Sequence, residues 1–170
     1  YNMKHRGDVY ATHGLGPVAQ AMDIHRGDRM TTLVAMDTKS VIGKELVEQK
    51  TGKECNDFRN GDHTTTLLRT ANGKVIEIQH NVMTPQPYNR LYQLTGSKGF
   101  ANKYPVEGYA LDAKQLNASG VQPKIDNLNA HGFLPKAEMD ALVEKYQHPI
   151  LKKYGEIAKE VGGHGGMDFI

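Results

Sequence analysis

The dipeptide Asn72-Gly73, set between two runs of alternating residues, constrains this chain more than any other feature. Asn-Gly is the strongest short hairpin signal, because a type I′ turn needs positive φ at both central residues. It commits Thr64 to Thr70 and Lys74 to Val82 to antiparallel strands. On the second, Ile76, Ile78, His80 and Val82 share one face, and Val75, Glu77, Gln79 and Asn81 share the other. Pro85 and Pro87 break the ladder. Arg90 to Thr95 reads as a third strand, and Gly96-Ser97-Lys98-Gly99 as a turn into Phe100-Ala101-Asn102. Upstream, Met30 to Thr38 reads as a strand covered on both faces, since Leu33, Val34, Ala35 and Met36 are all apolar. The expectation is an α+β architecture: a mostly antiparallel, open, four-stranded sheet with helices on one face.

The helical segments are short. Val18, Ala19 and Met22 mark an apolar face from Gly16 onward, with Pro17 suited to a first turn. Val41 to Lys50 is a helix with Gly52 as its C-cap. Pro135 opens a helix faced by Met139, Leu142, Val143 and Tyr146; Pro149 opens another, faced by Ile150, Leu151, Tyr154, Ile157, Ala158 and Val161. Residues 103–132 show little periodicity and read as a long surface excursion. At 170 residues the chain suits one domain, 1–170. It opens on Tyr1-Asn2-Met3-Lys4 and stops inside an apolar segment, Met167-Asp168-Phe169-Ile170, which reads as a fragment cut from a longer chain at both ends.

Composition excludes several classes. A net charge of +2, with signs evenly mixed, gives no nucleic-acid surface. No apolar run approaches the ~20 residues of a membrane helix. A single cysteine, Cys55, excludes an internal disulfide and a Cys-rich metal cluster.

The densest chemistry lies in Tyr10-Ala11-Thr12-His13-Gly14-Leu15-Gly16-Pro17. Tyr and His can each bind a sugar hydroxyl and each move a proton, and the glycines let other groups approach. The plainer alternative is a turn leading into a helix, with both side chains simply packed. The eight histidines include no His-x-x-x-His pair, and His63 and His80 are offset on facing strands, so no metal set is expected. His80 reads as a hydrogen-bonded sheet residue. The carboxylates Asp23, Asp28, Asp57, Asp62 and Glu77 are scattered and form no evident glycosidase pair. The glycines around His164 lack the G-x-G-x-x-G spacing and follow a helix, so they read as a loop presenting His164 or as a plain helix terminus. Tyr92 is either a packed strand residue or a binding one.

The strings Tyr10-Ala11-Thr12-His13-Gly14-Leu15-Gly16-Pro17, Ile78-Gln79-His80-Asn81, Leu94-Thr95-Gly96-Ser97-Lys98-Gly99 and Gly163-His164-Gly165-Gly166-Met167-Asp168-Phe169 closely resemble glycoside hydrolase family 109, from end to end of the chain. These are NAD-dependent α-N-acetylgalactosaminidases of the Gfo/Idh/MocA superfamily. The resemblance implies that this chain is the C-terminal α+β domain, with the NAD-holding Rossmann domain absent from it. It implies an exported, periplasmic bacterial setting, which the residues themselves do not fix. It carries substrate binding onto Tyr10, Ala11, Thr12, His13 and Tyr92, with catalytic roles for His13 and Tyr10 and a weaker substrate role for His164. The family usually has Pro where Ala11 stands. The implied substrate is a carbohydrate with terminal α-linked N-acetylgalactosamine. The implied route is oxidation, elimination, addition and reduction with retention, an exception to the carboxylate-pair mechanism. Superfamily members often pair through the sheet, so a homo-oligomer is expected.

Two rival functions follow from the same residues. One is a sugar dehydrogenase of the same superfamily, releasing NAD(P)H. The other is a non-catalytic domain that binds sugar weakly or serves as an oligomerisation surface.

Overall fold

The computed structural model describes residues 1–121 and 131–162. The chain divides into two compact units, residues 1–88 and 89–170, and each is described by itself. The fold is α+β.

The first unit contains α1 (Thr12–Ala21), β1 (Met30–Asp37), α2 (Ile42–Thr51), β2 (His63–Thr70) and β3 (Val75–Asn81). The strands form one antiparallel sheet in the order β1-β2-β3. The hairpin is where Asn72-Gly73 places it, but its turn is not type I′. Only Gly73 has positive φ, +81°. The Gly73 N–H donates to Thr70 O at 3.1 Å, and the Thr70 N–H donates to Lys74 O at 3.0 Å. The loop is therefore Ala71-Asn72-Gly73, a turn closed by one left-handed residue. The expected faces are observed over most of the strand: Ile76 is buried, Ile78 and His80 half-buried, while Val75, Glu77 and Gln79 are exposed; at its end the pattern fails, with Asn81 half-buried and Val82 exposed. His63 opposes Asn81 and His80 opposes Thr64, so the two histidines face opposite ways.

The expectation that β1 is covered on both faces is corrected. Residues 31–36 are exposed, with Met36 75% accessible. As an edge strand, β1 pairs on one side only, through Leu33–Leu68, Ala35–Thr66 and Asp37–Thr64. The buried face of β2 is largely polar, with Thr64, Thr66 and Thr70 buried beside Leu68. Val34, Met36, Leu67 and Val75 lie on the other face, all exposed. Arg6 forks onto Asp37, donating from Nε at 3.0 Å and Nη2 at 2.6 Å, and so ties the N-terminal loop to the end of β1.

Helix α1 starts at Thr12, four residues before the expected Gly16, so Pro17 lies inside it rather than in the first turn. Pro17 has no N–H to give the His13 carbonyl. Leu15, Val18, Ala19 and Met22 are half-buried, and α1 packs against β3. Helix α2 follows the expected bounds, with Gly52 at φ +67° as its left-handed C-cap.

The second unit holds β4 (Gln93–Gly96), β5 (Gly99–Lys103), β6 (Glu107–Ala110), α3 (Ala113–Ala118), α4 (Lys136–Tyr146) and α5 (Pro149–Val161). The third strand of the sequence reading therefore does not extend the hairpin sheet. It pairs through the tight Gly96–Gly99 turn with β5, which pairs with β6, forming a second antiparallel sheet. The stretch read as an irregular excursion contains β6 and α3, too short to show a period. Leu116, Val121, Leu134 and Leu142 form this unit's buried cluster, flanked by Tyr109, Leu111, Met139 and Ala141. Helix α4 turns Glu138 and Leu142 inward and leaves Val143 and Tyr146 exposed, a face rotated from the expected one.

Candidate functional site

The start of α1 brings together three residues of the opening motif. Tyr10 precedes the helix and His13 lies in its first turn, a spacing that puts the side chains on one side. The Tyr10 hydroxyl is 2.8 Å from His13 Nε2. The rings meet edge to face, with centroids 4.9 Å apart and planes at 79°. With the imidazole proton on Nδ1, Nε2 accepts from the phenol; with it on Nε2, the imidazole donates. The pair can thus present either a donor or an acceptor and hold a proton between two atoms.

The pair is not packed away, because Tyr10 is 60% exposed and His13 is exposed. Thr12 is exposed beside it. Ala11 is the N-cap and offers no side-chain cap; its carbonyl accepts from the Gly14 and Leu15 N–H groups at 3.1 and 2.7 Å. A Cβ built on Gly14 or Gly16 would meet nothing within 4 Å, so the helix surface beside His13 is bare.

Asp8, not singled out by sequence, and His80, read there as a hydrogen-bonded sheet residue, lie behind the motif. Asp8 Oδ1 accepts the Tyr10 backbone N–H at 3.2 Å, and His80 Nδ1 stands 4.0 Å from the same oxygen. The sequence signals were slight: an Asp two residues before the Tyr, as in an Asx turn, and a histidine on the inward face of a strand. His80 faces a carboxylate at ion-pair distance.

Tyr92 belongs to the second unit. It precedes β4 by one residue, and its carbonyl accepts from the Lys103 N–H at 2.9 Å. Its hydroxyl is buried without a hydrogen-bond partner, and burial pushes the phenol above its ordinary range. A buried phenol with nothing to bond is an available donor within its unit. His164 lies outside the described residues. Among the described residues, no group of three or more His, Cys, Asp or Glu side chains could hold a metal ion, and no helix is long and apolar enough to cross a membrane.

The strand-to-helix junctions bear on a dinucleotide. A pyrophosphate needs the free N–H groups of a helix N-terminus. At α2, after β1, Asp62 takes the N–H groups of Val41, Ile42 and Gly43 at 2.8, 2.9 and 3.0 Å. At α3, after β6, Asp112 takes that of Gln115 at 2.8 Å. At these two junctions the chain's own carboxylates take N–H groups that a pyrophosphate would use.

A family model described as Glycosyl hydrolase 109, C-terminal domain, matches residues 1–170. The chain is 90% identical, over its whole length, to glycosyl hydrolase family 109 protein 5 of Phocaeicola vulgatus, of which it covers 33%. It is 66% identical to protein 3 of the same organism, covering 30% of it. It is 59% identical to glycosyl hydrolase family 109 protein 1 of Bacteroides thetaiotaomicron, covering 36%. The chain spans about a third of the length of these curated relatives.

Proposed function

Because the chain belongs to glycosyl hydrolase family 109, as that family's C-terminal domain, we propose that it is the sugar-binding part of an NAD-dependent α-N-acetylgalactosaminidase. The observation that carries the reading is the exposed Tyr10–His13 pair, joined at 2.8 Å on a bare helix surface. The substrate is a carbohydrate ending in α-linked N-acetylgalactosamine. The route is oxidation, elimination, addition and reduction with retention. Its redox chemistry belongs to NAD held by polypeptide beyond residues 1–170, and no step of it is assigned to this chain.

The chain's own residues bind and orient the sugar. The Tyr10 hydroxyl and His13 imidazole hold a proton between them and can donate it to a developing oxyanion or receive one from a sugar carbon or hydroxyl. Thr12 adds a hydroxyl beside them and Ala11 can contribute only backbone; Tyr92 is proposed as a sugar contact in its own right. His164 is proposed as a further, weaker contact. The exposed sheet face of Val34, Met36, Leu67 and Val75 is the surface proposed for pairing of two copies.

The test uses the full-length protein and an aryl α-N-acetylgalactosaminide. His13→Ala is expected to lower turnover by about 10²- to 10⁴-fold while NAD binding is unchanged. Near-normal turnover in that variant refutes the site. Net NADH release during turnover would favour a sugar dehydrogenase, and the 170 residues alone are expected to be inactive.

A further inference from the structure

Behind the Tyr10–His13 pair lies a set of polar side chains that sugar binding itself does not use. The Asp8 side chain is 8% exposed and that of His80 is 13% exposed. One Asp8 oxygen accepts the Tyr10 N–H at 3.2 Å. The same oxygen faces His80 Nδ1 at 4.0 Å, beyond a hydrogen bond but within ion-pair reach. The other oxygen, Oδ2, is buried without a partner. Thr64, which opposes His80 across the hairpin, is also buried with its hydroxyl unpartnered.

A carboxylate taken out of water is costly unless it is paired. If its only task were to hold a turn, an asparagine would accept the same N–H with no charge to bury. The charge makes sense if it strengthens the hold on one backbone group and is itself held by a cation or donor. His80 is the group placed to do that, since β3 is the strand on which α1 packs.

We infer that Asp8 and His80 form a positioning pair for Tyr10: Asp8 grips the Tyr10 backbone, and His80 holds Asp8. The consequence is that the Tyr10 hydroxyl stays within hydrogen-bond reach of His13 when the sugar arrives. The inference rests on the sugar-site reading above. Neither residue touches substrate; both act through Tyr10.

The experiment is a set of double-mutant cycles in the full-length protein, read as kcat and KM on an aryl α-N-acetylgalactosaminide. The variants are Asp8→Ala, Asp8→Asn and His80→Gln, each made alone and with His13→Ala. Displacing the pair is expected to lower kcat by about 10- to 100-fold in Asp8→Ala, with KM moved far less. Asp8→Asn, which keeps an acceptor for the Tyr10 N–H, recovers part of that loss. In the His13→Ala background the same substitutions cost little further, because the pair they position is already broken. Losses that multiply in the double variants, or an Asp8→Ala and a His80→Gln that both retain parental kcat, overturn the inference. If Asp8→Ala does not fold, as read from its melting curve and NAD content, the cycles built on Asp8→Asn and His80→Gln decide. A His13→Ala with near-parental turnover removes the sugar-site reading and this inference together. A crippled His13→Ala beside unaffected Asp8 and His80 variants removes this inference alone.

Discussion

Asp62 caps a helix from 20 residues away. Val41, the N-cap position of α2, has no side chain able to accept, so the first N–H groups reach across to the loop before β2. Burial alone would raise the Asp62 carboxyl; the three N–H groups outweigh it and hold it below the ordinary value. Asp28 is similar, with burial overcome by Thr70, the Arg29 and Asn72 N–H groups and Lys74. Asp37 is held down chiefly by its hydrogen bond from Arg6, against the opposing effect of burial. All three are more acidic folded than unfolded, so each contributes stability above the ordinary carboxylate value of about 4. That contribution is lost as pH falls through the lowered folded values. We expect the melting temperature to fall steadily as pH drops below about 4. Asp62→Ala should cost about 1–2 kcal/mol at neutral pH and flatten that acid slope. A melting curve that Asp62→Ala leaves unmoved at neutral pH would show that the cap is not needed. At this scale the Tyr10–His13 contact was legible because both partners sit in one local motif. Asp62 and the Asp8–His80 pair were not, since their partners are fixed by the tertiary fold.

The hairpin shows what an element inherits from two residues. Gly73 takes the single left-handed position of the loop, and Asn72 does not need one. Replacing Gly73 by Ala puts a Cβ at φ +81° and should cost about 1–2 kcal/mol. Asn72→Ala should cost less. Thermal melts of the two variants check the order, and equal losses would contradict the turn described here. The alternation along β3 was legible because this edge strand buries one face and leaves the other to solvent. The burial of β1 was not. An apolar run predicts a covered strand, but only packing decides whether a cover is present. β6 and α3 were missed because four and six residues are too few to show a period. The mis-set face of α4 has the same root, as a short amphipathic helix tolerates a rotation of one position.

For the molecule as a whole, the first unit buries threonines and exposes Val34, Met36, Leu67 and Val75 on the open face of its sheet. Exposed apolar side chains gathered on one face mark a contact surface. Val34→Lys with Met36→Lys should shift the full-length protein to a smaller sedimenting species without lowering its melting temperature. An unchanged sedimentation coefficient would mean that other polypeptide covers this face. Pairing through this face is an expectation drawn from family resemblance and not from residue pattern, since β1 alone reads as interior. Helix α1 carries a different consequence. Its ten residues include two glycines and a proline, and none is fully buried. Relative to alanine these three forgo about 5 kcal/mol of helix propensity, so α1 persists through what touches it. In the order of local openings, α1 should yield before the hairpin sheet. The part of this unit proposed to meet the sugar is then its lowest-lying excited region, and a bound sugar would be the contact that closes it.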